Sequence, residues 1–257
     1  SRDRLRLKNK DPRRELIHIL NPLTEDQAVM RTSLIPGMLA SMGYNIAQQL
    51  KNLKIFEIGK IFIKLDQQNL PREPEMLTAL WSGARNDASW HQREIPCDFY
   101  DIKGCVEALI RALKIDEVRF TKMPAESCDY TRPGYTARIE AAGRQVGLVG
   151  EIHPQVRSNF DLKQTAFIFE LELDKLISLI PPATGSRPIP RFPAIYRDIT
   201  IIVGRGIETQ TILEAVDNIG EDLVDRLHLF DVFEGDPIAA GKKSVSFRIT
   251  YRSSIKT

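Results

Sequence analysis

A chain of 257 residues and 29.2 kDa exceeds the usual size of one domain, so two domains of roughly 100 to 180 residues are expected. Hydrophobic residues at 42% and charged residues at 27% exclude a disordered chain, while a net charge of +2 neither requires nor excludes a nucleic-acid partner. Cys97, Cys105 and Cys128 have no paired spacing, which excludes a disulfide framework and a CxxC metal knuckle, and they read as reduced, buried thiols.

The basic start, Ser1 to Lys10, runs into Asp11-Pro12, and no apolar stretch approaches about 18 residues. Neither a signal peptide nor a membrane span is read, and a cytoplasmic protein is expected. Glu15 to Leu20 predicts a short strand. From Pro36, the residues Met38, Leu39, Met42, Ile46 and Leu50 recur at helical spacing, with Pro36 suited to a first turn. Ile55, Phe56, Ile58, Ile61, Phe62 and Ile63 form a dense apolar run that predicts a buried strand.

Glu75 to Gly83 reads as another strand, and Asp98 to Leu113 as a helix with Ile102, Val106, Leu109, Ile110 and Leu113 on one face. Asp101 and Lys103 fall near its opposite side and read as surface charges. Tyr135 to Ala141, Gln145 to Gly150 and Ala166 to Leu173 are three further strands, with a turn at Gly143. Strands and helices mix without regular alternation, which predicts an α+β layout with an antiparallel or mixed sheet.

Pro181, Pro182, Pro188, Pro190 and Pro193 mark residues 179–194 as a semi-rigid linker. Beyond it come a strand (Asp198 to Val203), a helix (Thr209 to Ile219, capped by Thr209 and ended by Gly220) and two strands (Leu227 to Phe233 and Ser244 to Tyr251). This β-α-β-β order is two-thirds of a ferredoxin-like unit, so the natural protein is expected to continue about 25 to 35 residues beyond Thr257.

Several segments resemble the beta subunit of bacterial-type phenylalanyl-tRNA synthetase. They are Asn21-Pro-Leu-Thr through Met30-Arg-Thr-Ser-Leu34, Ile55-Phe-Glu-Ile-Gly59, Tyr100-Asp-Ile-Lys-Gly104, Gly147-Leu-Val-Gly-Glu-Ile-His-Pro154, Phe192-Pro-Ala-Ile-Tyr-Arg-Asp198 and Phe230-Asp-Val-Phe233. One departure is Arg132-Pro133-Gly134, where the family often has His-Pro-Gly, so no role of that histidine transfers. The resemblance implies a class II synthetase-like, non-catalytic domain at 1–178 (lead-in 1–13) and a ferredoxin-like anticodon-binding domain at 195–257, incomplete at its C-terminus. It also implies a role as partner of a catalytic alpha subunit in an α2β2 enzyme that joins phenylalanine to tRNA(Phe) with ATP and Mg2+, and no editing function in this chain.

No catalytic, metal or cofactor residue is assigned within the chain. Phosphate clamping in a class II core needs an arginine on a sheet strand, yet Lys54 to Phe62 offers only Lys54 and Lys60, which lack a bidentate fork. Ala166 to Ile177 contains no arginine either. His91, Cys97 and Cys105 match no common zinc pattern. Glu151 and His153 alternate on a strand, but a solvated face or a helix cap before Pro154 outweighs an acid–base pair.

Strand alternation puts Val245, Phe247, Ile249 and Tyr251 on one face and Ser244, Ser246, Arg248, Thr250 and Arg252 on the other. The second set is the expected RNA-facing surface, with Arg191, Arg197, Lys242, Lys243, Ser246, Arg248 and Arg252 as RNA-binding candidates. A free-standing RNA- or protein-binding module and an active ATP-dependent ligase paralogue are the alternatives.

Overall fold

The computed structural model describes residues 3–65, 70–125, 127–182, 192–221 and 223–253, apart from the side chains of Asp26 and Asp217. The chain divides into two compact units, Ser1–Pro182 and Ala183–Thr257. The α+β expectation is borne out, and every strand pairing in both sheets is antiparallel.

In the first unit, strands β1 (Leu53–Lys60), β2 (Glu75–Ser82), β3 (Val118–Lys122), β4 (Thr131–Ala141), β5 (Arg144–Ile152) and β6 (Ala166–Glu172) form a six-stranded sheet ordered β1-β2-β6-β5-β4-β3. Its alternation loads two cores. Leu77, Phe167, Phe169 and Leu171 pack with Ile102, Val106 and Ile110 of helix α2 (Phe99–Ala112) and with Leu176 of α4 (Leu173–Ile177). Leu53, Leu80, Ile152 and Ile168 pack with Ile35, Met38, Leu39 and Met42 of α1 (Ile35–Ala47) and with Val156 of α3 (Pro154–Asn159).

Helix α2 starts where Asp98 accepts from the Tyr100 and Asp101 amides at 2.7 and 3.2 Å while the Asp101 carboxylate accepts from the Asp98 amide at 2.8 Å. This reciprocal cap satisfies donors that the first turn leaves unpaired. Asp101 also lies 2.7 Å from Arg85 Nε. Asp101 is therefore a half-buried structural carboxylate rather than the surface charge expected of it.

Several local expectations are corrected. Glu15 to Leu20 forms no strand but one bridge, His18 to Val29, because Asn21-Pro22 turns the chain at once. β1 is an edge strand rather than a buried one, leaving Phe56 71% exposed. Leu50 falls beyond the end of α1 and is exposed, and Cys105 is exposed. β3 had no counterpart in the pattern reading.

The second unit consists of β7 (Ile195–Gly204), α5 (Thr209–Asp217), β8 (Val224–Phe233) and β9 (Lys242–Tyr251) in a sheet ordered β7-β9-β8. Glu208 precedes the first turn of α5 and makes no side-chain cap, nor does Thr209 take that place. Gly220 has φ +66 and Gly241 φ +79, left-handed turns that glycine adopts without a Cβ penalty. The predicted turn at 235–237 is present, closed by the Ile238 amide on the Gly235 carbonyl at 2.7 Å. Of the Pro-rich linker, residues 183–191 lie outside the described residues.

Candidate nucleic-acid interface

Because β9 is the middle strand, its side chains sit in rows of three with those of β7 and β8. The apolar face carries Ile199–Phe247–Leu229 and Ile201–Val245–Val232, with Val245 and Phe247 buried. The opposite face carries Tyr196–Thr250–Arg226, Asp198–Arg248–His228 and Thr200–Ser246–Asp231.

This register re-sorts the sequence candidates. Ser246 and Arg248 lie on the polar face, as alternation requires, and Lys242 falls at its end. Arg197 pairs with Ile249 and Lys243 with Val203, so both belong to the apolar side and not to the surface that Arg248 shares. A residue opposite an apolar partner in an antiparallel pair shares that partner's face. Arg191 lies outside the described residues.

Ser244, Ser246 and Thr250 are buried rather than open, a second correction. Short hydroxyl side chains on a central strand are shaded by longer neighbours on both sides. Ser246 instead meets Thr200 at 2.8 Å between hydroxyl oxygens. The exposed groups of this face are therefore the long ones.

Arg248 is the centre of the face. Its Nε and Nη2 each donate to Asp198 at 2.8 Å, a two-point grip that fixes the guanidinium plane. Those hydrogen bonds hold the Asp198 carboxyl below the usual carboxylate range. The Arg248 guanidinium lies 5.7 Å from the centre of the Phe230 ring. Arg252, just past the strand, lies 3.6 Å from Asp225.

Two aromatic side chains that pattern reading missed flank this arginine. Tyr196 is 58% exposed and Phe230 50% exposed. Phe230 sits in an irregularity of β8 between the pairs Leu229–Phe247 and Asp231–Ser246, where an extra residue re-aims the side chain. Tyr196 was legible in principle, since it alternates with Arg197 within β7. A charged plane with exposed rings on either side can stack unpaired bases and contact phosphate.

In the first unit both lysines of β1 are engaged. Lys54 Nζ donates to the Arg85 carbonyl at 2.9 Å and lies 4.2 Å from the Trp81 ring centre, and Lys60 pairs with Glu73 at 3.1 Å. Inside the sheet, Tyr130 donates to Glu170, Ser33 Oγ lies 3.5 Å from the same carboxylate, and Arg13 stands 5.0 Å over the Tyr130 ring. Glu151 is buried against Arg132 at 3.1 Å, and His153 caps α3 by accepting from the Gln155 amide at 3.0 Å. Among the described residues no group of three His, Cys, Asp or Glu is placed to hold a metal, and no helix is long and apolar enough to cross a membrane.

Residues 1–173 match the family described as phenylalanyl tRNA synthetase beta chain CLM domain, and residues 190–257 match the ferredoxin-fold anticodon binding domain. Curated relatives named phenylalanine–tRNA ligase beta subunit include those of Symbiobacterium thermophilum, 34% identical over 99% of this chain, and Syntrophus aciditrophicus, 37% identical over 98%. The chain spans 28% and 31% of those two relatives. The resemblance read from the motifs is thus borne out: the chain belongs to the phenylalanyl-tRNA synthetase beta chain family, joining its CLM domain to a ferredoxin-fold anticodon-binding domain.

Proposed function

We propose that this chain is the portion of a phenylalanine–tRNA ligase beta subunit that supports the catalytic alpha subunit and binds tRNA(Phe) through the polar face of the second unit. The enzyme it serves attaches phenylalanine to tRNA(Phe) using ATP and Mg2+, works as an α2β2 assembly in the cytoplasm, and draws its chemistry from the alpha subunit. The observation that carries this reading is Arg248, fixed by Asp198 and flanked by the exposed rings of Tyr196 and Phe230. An anticodon loop supplies the unstacked bases and phosphates that such a face recognises. The relatives' names and the two matched domains support the same assignment.

Ligation within the chain itself is disfavoured by the first unit. Lys54 and Lys60 are both engaged, and no arginine is available on β1 or β6.

Tyr196→Ala and Arg248→Ala in the full-length subunit are each expected to weaken tRNA(Phe) binding by about 1 to 3 kcal/mol, the range for removing a stacked ring or a specific hydrogen-bonding group. Adenylate formation, followed by pyrophosphate exchange, stays unchanged because it takes place on the other subunit. Unaltered tRNA affinity in both variants would reject this face.

A further inference from the structure

The lead-in of the first unit carries a strongly cationic surface of its own. Residues 4–8 read Arg-Leu-Arg-Leu-Lys, and the alternation is literal: Leu5 and Leu7 are buried in the core while Arg4, Arg6 and Lys8 face outward. Arg4 Nε donates to the Asn159 carbonyl at 2.8 Å, and its guanidinium lies 3.8 Å from the Phe160 ring centre. Arg6 reaches the Asp129 carbonyl at 3.4 Å. Among the described residues neither Arg4 nor Arg6 has a carboxylate partner.

A further cation joins them from β4. The β4–β5 register jumps between the pairs Thr131–Ile152 and Thr136–Gly150, so Arg132-Pro133-Gly134-Tyr135 is pushed out of the ladder. Arg132 is held by the buried carboxylate of Glu151 at 3.1 and 3.2 Å and lies 4.0 Å from the centre of the Tyr135 ring, which is 48% exposed. Arg6 is tied to Asp129, three residues before Arg132, and the His153 amide donates to the Tyr130 carbonyl between them at 2.9 Å. Burial, followed by the charges of Arg6 and Arg132, holds the His153 imidazole below its ordinary range. Three carboxylates beside these cations have partners: Asp129 meets Lys8 at 3.7 Å, Glu151 meets Arg132 at 3.1 Å, and Asp3 meets Arg14 at 2.9 Å.

We infer that this surface is a further RNA contact, in which Arg4 and Arg6 pair with backbone phosphates and Tyr135, stiffened by Arg132, offers its ring to an unstacked base. Residues 3–6 form a turn closed by the Arg6 amide on the Asp3 carbonyl at 3.1 Å, and the buried leucines on either side of Arg6 leave both arginines at the surface. Guanidinium groups held in place without an anion suit phosphate, and an aromatic beside them suits a base. A protein partner would be expected to find more apolar area at the centre of such a patch. The inference rests on the proposed tRNA-binding role of the subunit.

The test uses the full-length subunit assembled with its catalytic partner and intact tRNA(Phe), with binding measured across a salt series. Arg4→Gln/Arg6→Gln is expected to reduce the slope of log affinity against log salt by about 2, or about 1 for each phosphate no longer neutralised. Arg6→Gln alone, which removes only one long hydrogen bond, is expected to lower it by about 1 and guards against misfolding of the double variant. Tyr135→Leu lowers affinity without altering the slope. An unchanged slope in both arginine variants overturns the inference, as does failure of either to assemble with the catalytic partner, which would make the patch a protein interface. Arg248→Ala, assayed in parallel on an anticodon stem-loop, tests the second-unit face alone, so the two readings can fail separately.

Discussion

Glu170 is a carboxylate inside the first unit, surrounded by the Tyr130 hydroxyl, Ser33 and the nearby Arg13 guanidinium. Burial raises its protonation above the ordinary value of 4.5, and the hydrogen bonds and the arginine only partly oppose that. The folded chain therefore holds this proton to higher pH than the unfolded chain does. Stability that is full below about 4.5 is lost as pH climbs through the folded value, by about 1.4 kcal/mol for each pH unit separating the two titrations. Glu170→Gln keeps an acceptor for Tyr130 but cannot ionise, so its denaturant midpoint is expected to be flatter with pH above that point. Wild-type and variant curves of the same shape would mean that Glu170 is ionised at no cost.

At this scale the sequence was only half informative. Strand parity separated Arg248 correctly from Phe247 and Ile249. The same parity was not carried onto β7 and β8, so Tyr196 and Phe230 went unseen and Arg197 and Lys243 were grouped with residues of the other face. Pairing register is a long-range property. The residues Tyr196-Arg197-Asp198 look equally polar until Ile249 and Arg248 stand beside them.

At the scale of elements, helices and long strands were legible because their periods are local. The apolar stripe of α2 and the glycine turn between β4 and β5 both follow from neighbours within a few residues, whereas the reciprocal cap of Asp98 and Asp101 was not read. Burial of a strand is different. Ile55-Phe-Glu-Ile reads as a central strand, yet β1 lies at the sheet edge, and only the partner order decides which side is covered.

Two glycines sharpen the contrast. A Cβ on Gly147 would stand 2.1 Å from the Glu170 backbone oxygen, since β5 and β6 approach closely there, whereas a Cβ on Gly59 would stand 2.2 Å from the tip of the half-exposed Arg31 side chain. Backbone cannot yield and a flexible guanidinium can. Gly147→Ala is expected to cost about 1 to 3 kcal/mol as an overpacking change, and Gly59→Ala to stay within about 0.5 kcal/mol as a surface change. Chemical denaturation of the two variants decides it, and equal losses would show that the β5–β6 spacing can relax.

Over the whole molecule, burial is unevenly shared between the units. The first has apolar clusters on both faces of its sheet, drawing on all six strands, four helices and the lead-in. In the second, the buried apolar residues among those described are Val245, Phe247 and Ile249, all on β9, while Ile195, Ile199, Ile202 and Leu223 remain 45% to 58% exposed. Apolar burial contributes about 25 cal/mol per Å2, so the second unit has much less to set against its conformational entropy. β7 is also an edge strand, and its outward amides have no ladder partner among the described residues. The 257-residue chain is therefore expected to exchange amide hydrogens in two tiers. Under native conditions β7 and β8 should exchange before β5 and β6, and β9, paired on both sides, should be the slowest strand of the second unit yet still faster than β6. Mass spectrometry of peptides covering Ile195–Gly204, Lys242–Tyr251 and Ala166–Glu172 reads this directly. Protection of β7 equal to that of β6 would mean that the three-stranded sheet is as stable as the six-stranded one, and that exposure of its isoleucines does not weaken it.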